Sequence, residues 1–365
     1  MLASFLAVSV STCAREVSPP PGPTIAFLFD GSAPDADLVM SPALEGLELA
    51  ARQMGRVHVE PVDVGDDPDA VREELDATVG DHDVLAAVVA PWTPPPPGAI
   101  ERLGSAGIPV ISLSWAWGPP SEGVWRSIAP GPAREAVILL SAAGAVDPGE
   151  SVCLAADDQP TSRALFATTR DLGVGAADPP VTVAGIVRTE RGTTATTVAD
   201  RVDEAGCAVV AWIGGAEGAD ALLAAIAQDP VLIGTSRVKT DDGLLLASSG
   251  RDVHSVCPCV DVSLSVDARL QRFVHDFQAD GGAPPGPYAV EAYDAGRLLI
   301  GIVLEAGGGR RAVAAALDEV SVFTGLTDTY RFAADGSRAA EPLVVGDWRA
   351  RGSRWLPIEE AGGAP

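Results

Sequence analysis

PGPYAVEAYDAGRLLIGIVLEAGG, residues Pro285 to Gly308, and FTGLTDTYRFAADGSR, residues Phe323 to Arg338, decide how this chain folds. In the first segment the apolar positions Ala289, Ala292, Tyr293, Gly296, Leu299, Ile300 and Val303 recur at the spacing of one helix face. Gly307-Gly308-Gly309 is the expected stop. A second helical run follows. The second segment predicts a strand from Thr329 to Phe332 and a turn at Asp335-Gly336.

Upstream of this stretch, strand and helix signals alternate. Strands are expected at Thr24–Phe29, Val57–Val64, Val84–Ala90, Pro109–Ser114, Val124–Ala129, Ser151–Ala156, Val181–Val187, Ala208–Ile213 and Val231–Gly234. Helices are expected between them, the first capped by Ser41 with Pro42 at its first position and running to Met54. Uninterrupted Val/Ile/Leu/Ala strands between amphipathic helices indicate α/β architecture with parallel sheets covered on both faces. At 365 residues the chain is long enough for two such units.

The net charge of −25 argues against nucleic acid and anionic membrane surfaces as partners. The N-terminus reads MLASFLAVSV, then Ser11-Thr12-Cys13 and a Pro-rich spacer. An apolar run, small residues and a cysteine look like a bacterial lipoprotein signal with Cys13 as the lipidated residue. The bland alternative is a tail with an incidental cysteine. The run is too short to span a bilayer. Cys153 and Cys207 each sit at the start of an expected strand and form a possible disulfide, with two buried thiols the equal alternative. A bridge between Cys257 and Cys259 would span one residue, so these two are expected to be structural or unpaired.

The order of a Tyr293-Asp294-Ala295 helix, a Phe323-Thr324-Gly325 segment, a strand ending at Phe332 and an Asp335-Gly336 turn resembles the C-terminal part of the type I periplasmic binding proteins, the leucine/isoleucine/valine-binding family of ABC-transporter receptors. The resemblance covers about residues 24–350. It implies two Rossmann-like lobes with helix-covered parallel sheets, joined by three hinge crossings near Arg126–Pro130, Val253–Pro258 and Thr327–Tyr330. The implied division is a signal and linker at 1–23, lobe one at 24–128 plus 257–327, lobe two at 129–256 plus 328–358, and a tail at 359–365. It further implies a monomeric, exported protein, held to the membrane only by a lipid anchor. Such a protein binds a small solute by hinge closure, presents it to an ABC permease, and has neither cofactor nor catalytic activity.

In open α/β sheets a ligand sits beyond the carboxyl ends of the strands. In this family two lobe-one loops grip the ligand carboxylate through hydroxyls and backbone N–H groups. The first here is Pro91 to Pro97, where only Trp92 and Thr93 have an N–H to offer ahead of four prolines. The second is Ser114-Trp115-Ala116-Trp117, with Ala116 where amino-acid binders usually carry Thr. On lobe two, Ser236 stands where a Glu usually holds the ammonium, and no aromatic follows Gly214-Gly215. A zwitterion grip is thus missing from a scaffold built for one. The expected ligand is a small polar or aromatic-bearing solute facing Trp92, Trp115 and Trp117. Packing is the competing role for each tryptophan. Glu217 is a candidate charged contact or a complement to its helix dipole. Tyr288 is a candidate rim residue or a packing one.

Enzyme readings find little to stand on. Asp81-His82-Asp83 are adjacent and cannot converge on one ion, and no histidine pair has metal spacing. There is no G-x-S-x-G elbow, phosphate loop or dinucleotide fingerprint. The alternatives to transport are an orphan ligand sensor, a degenerate binding protein, or an uncharacterised hydrolase.

Overall fold

The computed structural model describes residues 22–32, 36–65, 67–146, 151–172, 182–188, 195–257, 259–260, 262, 265–339, 346–351 and 354–358. Cys13 and the tail at 359–365 lie outside them. The described residues build two main sheets. The first takes β1 (Thr24–Phe29), β2 (His58–Asp63), β3 (Val84–Val89), β4 (Val110–Ser112) and β5 (Trp125–Ser127) in the order β2-β1-β3-β4-β5. Its strands are all parallel. Central β3, VLAAVV, is buried along almost its whole length, as a strand covered on both faces must be. Edge β2, HVEPVD, alternates exposed and buried residues and tolerates Pro61.

The second sheet runs β14 (Arg354–Pro357), β13 (Gly346–Arg351), β10 (Val253–Cys257), β9 (Val231–Gly234), β8 (Val209–Ile213), β6 (Ser151–Ala156), β7 (Thr182–Arg188). From β7 to β10 it is parallel, and β13 and β14 close it as antiparallel strands. A small hairpin pairs β11 (Val322–Thr324) with β12 (Thr329–Arg331).

Helices α1 (Ala36–Met54), α2 (Pro68–Gly80), α3 (Ala99–Ser105), α9 (Ala268–Gly281), α10 (Ala289–Ala306) and α11 (Arg310–Asp318) serve the first sheet. Helices α4 (Pro132–Val146), α5 (Pro160–Leu172), α6 (Ala195–Ala205), α7 (Ala216–Ala225) and α8 (Asp241–Ser248) serve the second. Helix α1 starts a turn and a half earlier than its Ser41-Pro42 signal suggests. Buried Ala36 and Met40 extend it upstream, and Pro42 then lies inside, forfeiting a bond to the Leu38 carbonyl.

The deciding stretch forms one connected unit. The first half of α10 is buried almost all round, and α1 packs along it. A β-carbon at Gly46 of α1 would overlap the Ala289 carbonyl, so only glycine lets the two backbones approach this closely. The Asp294 carboxylate accepts the Leu326 N–H at 2.9 and 3.0 Å and the Tyr330 hydroxyl at 3.2 Å. Gly325 lies directly against that carboxylate, where any side chain would collide. The Tyr-Asp-Ala helix and the Phe-x-Gly segment are therefore two halves of one contact.

The chain passes between the sheets three times: from β5 to α4, from β10 to α9, and from β12 to β13. Residues 253–257, expected within a crossing, are strand β10, and residues 329–331 are strand β12. The crossings are tied to one another. Ser127 N–H donates to the Gly336 carbonyl at 2.9 Å, and Arg338 donates to the Ile128 carbonyl at 2.8 Å while pairing with Asp328. Val260 N–H donates to Glu291 Oε1 at 2.9 Å.

One apolar cluster runs continuously from the α1 and α10 layer to the α4 and α5 layer, through Trp92, Tyr288 and Trp348. Each sheet has a further cluster on its other face, around Trp117 and Leu103 in the first and Trp212 and Leu222 in the second. Cys153 and Cys207 are joined in a disulfide with Cα atoms 5.7 Å apart. Cys257 and Cys259 are also joined, Cα atoms 4.9 Å apart, where the sequence suggested structural or unpaired thiols. Both are fully buried, with the Cys259 N–H turned onto the Cys257 sulfur at 3.2 Å, so the chain bends back at this point and brings the two side chains together. Among the described residues no helix is long and apolar enough to cross a membrane.

Candidate functional site between the two sheets

Three of the loop residues singled out from sequence meet. Trp92 follows β3, Ser236 follows β9, and Tyr288 caps α10. Trp92 Nε1 donates to Ser236 Oγ at 2.9 Å, and Ser236 Oγ lies 3.0 Å from the Tyr288 hydroxyl. All three side chains are buried. This hydrogen-bonded chain joins the first sheet's loops to the second sheet's loops. Among the described non-glycine residues only Arg56, Trp92 and Tyr288 adopt positive φ, at 66°, 61° and 63°. Two of the three thus fall in this contact. A left-handed backbone costs roughly 1–2 kcal/mol at a residue with a side chain. Such strain persists where the surroundings over-determine it, which is typical of ligand sites.

Trp115 stands edge-on to Trp92, with ring centroids 6.1 Å apart and planes at 83°. Its indole N–H is buried without a hydrogen-bond partner, as are the hydroxyls of Thr93 and Thr235. Ser114 and Trp117 serve the loops themselves. Ser114 Oγ donates to the Thr93 carbonyl at 2.9 Å and accepts from Ala116 N–H at 3.3 Å. Trp117 Nε1 donates to the same carbonyl at 3.0 Å, and its ring fills the core beneath α2 and α3. On the second sheet, Gly215 N–H donates to Asp157 Oδ2 at 3.1 Å, and its carbonyl accepts from Trp212 Nε1 at 3.0 Å. Glu217 is exposed in the first turn of α7. Asp81-His82-Asp83 forms the turn from α2 into β3.

Several further groups at this place are not among the residues that the strand-end loops mark. Arg237 is buried, with its guanidinium 5.7 Å from the Trp92 ring centroid. It donates to Asp157 Oδ2 at 3.2 Å and Ser162 Oγ at 3.0 Å. Glu135, on the first turn of α4, is 2% exposed, and neither carboxylate oxygen has a hydrogen-bond partner. Burial pushes its carboxyl up to about 8. Its charge is felt at Tyr288, whose hydroxyl is held well above its usual value first by burial and then by Glu135. Glu291 is pushed up to about 7 by burial against the Val260 N–H that lowers it, and Asp294 to about 6 by burial. One signal for Glu135 was present in the sequence. It falls on the buried stripe of α4, with Ala136, Leu139, Leu140, Ala143 and Gly144.

A groove of about 690 Å³ opens between the same layers, lined by Ser41 and Pro42 of α1, the 283–287 segment, Lys239, Leu244 and Trp355. Lys239 lies in it with Nζ 4.0 Å from the Trp348 ring centroid.

Two helix-covered sheets, three crossings and a polar contact at the facing strand ends define a two-lobed receptor. The chain belongs to the periplasmic binding protein family, whose model matches residues 23–353. This is a family of solute-binding receptors. No curated protein matches the chain at a significant level. Solved structures with the same fold include an extracellular ligand-binding receptor from Rhodopseudomonas palustris HaA2, with 14% identity and TM-score 0.73, covering 92% of this chain and 99% of that one. Another is the branched-chain amino acid transporter substrate binding protein LivJ from Streptococcus pneumoniae in complex with isoleucine, with 15% identity, TM-score 0.71 and coverage of 91% and 97%. A third is an R. palustris ABC transporter solute binding protein in complex with benzoate, with 16% identity, TM-score 0.69 and coverage of 92% and 95%.

Proposed function

We propose that this protein is an extracytoplasmic solute-binding protein of an ABC importer. It holds one small solute between lobe one (24–128 plus 257–327) and lobe two (129–256 plus 328–358) and closes by hinge motion at the crossings. In this reading Cys13 carries a lipid anchor, the protein acts as a monomer, and a membrane permease receives the closed form. The solute contacts are Trp92, Thr93, Trp115, Ser236 and Tyr288, with Ser114, Ala116 and Trp117 shaping the lobe-one loops and Gly215 the loop opposite. Glu217 is exposed and stands at the margin of this set.

The observation that carries the reading is the set of buried, unpartnered polar atoms beside the Trp92–Ser236–Tyr288 contact: Thr93 Oγ1, Trp115 Nε1, Thr235 Oγ1 and both oxygens of Glu135. Leaving a buried donor or acceptor unsatisfied costs about 1–3 kcal/mol. A solute that satisfies several of them recovers that cost on binding. Relatives of this fold bind isoleucine and benzoate, both small enough for one cleft.

The test is a thermal-shift screen of the full chain against amino acids, amines, aromatic acids, amides and sugars. A ligand at about 100 times its dissociation constant stabilises by roughly 2.7 kcal/mol. Trp92→Ala abolishes the shift if the cleft is the site. Turnover of a hit, or a shift untouched by Trp92→Ala, refutes the proposal.

A further inference from the structure

Neither carboxylate oxygen of Glu135 has a hydrogen-bond partner, and this inference about it rests on the solute-binding reading above. Buried side-chain polar groups are in the great majority hydrogen-bonded, and a structural carboxylate in a helix's buried stripe is ordinarily paired. Glu135 is 2% exposed with both oxygens unpartnered. It sits on α4 directly after the first crossing, close enough to Tyr288 for its charge to reach that hydroxyl. Tyr288 in turn lies 3.0 Å from Ser236 Oγ, and Ser236 accepts from Trp92. The carboxyl therefore lies within electrostatic reach of the Trp92–Ser236–Tyr288 contact, on a helix of the second sheet, whereas Trp92 and Trp115 come from loops of the first.

We infer that Glu135 determines solute specificity by receiving a protonated amine carried on a small aromatic or alkyl body. A cationic N–H donor supplies both things the carboxyl lacks, a counter-charge and hydrogen bonds, and charge-assisted bonds are the strong kind. Aromatic faces favour the same cation. The nearby guanidinium, Arg237, is committed to Asp157 and Ser162, so the cationic group closest to the aromatic residues is already engaged and poorly placed to receive a solute carboxylate. The acidic surface of the whole chain, net charge −25, works in the same direction by concentrating cations.

Three probes that share one ring and differ in charge test this: benzylamine, benzyl alcohol and benzoate, titrated calorimetrically into the full chain. Benzylamine is expected to bind at least about tenfold more tightly than either of the others, a difference within the range for one charge-assisted contact. Glu135→Gln keeps shape and burial. It is expected to weaken benzylamine by about tenfold or more while leaving benzyl alcohol within about threefold, since only the counter-charge is lost. Glu135→Asp retains the charge and is expected to retain the preference for the amine over the alcohol. Preference for benzoate, an unchanged benzylamine affinity in Glu135→Gln, or no benzylamine binding at about 10 mM overturns the inference. Trp92→Ala separates the two readings. If it abolishes binding of whichever probe binds while Glu135→Gln leaves the benzylamine affinity unchanged, the cleft stands and the role of Glu135 falls.

Discussion

Replacing Glu135 by Gln is expected to stabilise the ligand-free protein, by an amount that grows with pH. Burial raises the folded-state value of this carboxyl from 4.5 to about 8. Below the unfolded-state value both states hold the proton, and its titration costs nothing. As pH rises from 4.5 toward 8, the unfolded chain releases the proton while the folded one keeps it. Stability then falls by about 1.36 kcal/mol per pH unit. By pH 7 the loss is about 3 kcal/mol, and it levels near 5 kcal/mol above pH 8. Gln keeps the buried polar group and removes the titration, so the Glu135→Gln advantage should be under about 1 kcal/mol at pH 5 and about 3 kcal/mol at pH 7. Glu291 and Asp294, which are raised in the same direction, remain in both proteins and cancel in the difference. Urea unfolding of both proteins at pH 5, 6, 7 and 8 measures it. A difference that does not change with pH, or a wild type more stable than Glu135→Gln at pH 7, refutes the assignment of Glu135 as a buried, unpaired acid.

Other perturbations follow from the same contacts. Ser236→Ala leaves the Trp92 indole N–H and the Tyr288 hydroxyl without their shared partner, which should cost about 1–3 kcal/mol and widen the separation of the lobes, read as a larger radius of gyration in X-ray scattering. Reducing Cys153–Cys207, or replacing both by Ser, frees a loop spanning a sequence separation of 54 and should lower stability by ~4 kcal/mol in chemical unfolding. Gly46→Ala forces α1 away from α10 and should cost at least about 1–3 kcal/mol in thermal unfolding. Gly325→Ala sets a methyl against the Asp294 carboxylate and should break its bond with Leu326, read as faster amide exchange at that position.

The fold was legible where its determinants are local. The face of α10 shows in periodicity, and the Asp294–Gly325 contact joins two segments that the sequence already marks as unusual. The start of α1 is not legible locally, because Ser41-Pro42 is a strong cap signal and burial of Ala36 and Met40 outweighs it. The site was partly legible. Strand-end loops pointed to Trp92 and Ser236 and the family resemblance to Tyr288, but the bonds among them cross separations of 144 and 52 residues, which only the folded chain brings together. Trp117 and Ser114 were named from the same loop, yet they bond to the Thr93 carbonyl and support the loop from beneath. Glu135 escaped because an acid in a first helical turn ordinarily complements the helix dipole. The competing sign, its place on the apolar stripe of α4, is outweighed by that ordinary role.

Lys239 gives this protein an uncommon chemical handle. It is the sole lysine of the chain, and its ammonium is lodged over the indole of Trp348. Acylating reagents and amine-reactive dyes would therefore meet one side-chain target, sequestered at the seam between the two halves. Decorating it would dislodge the cation from the ring, so a label placed there would report on, and disturb, the joint itself.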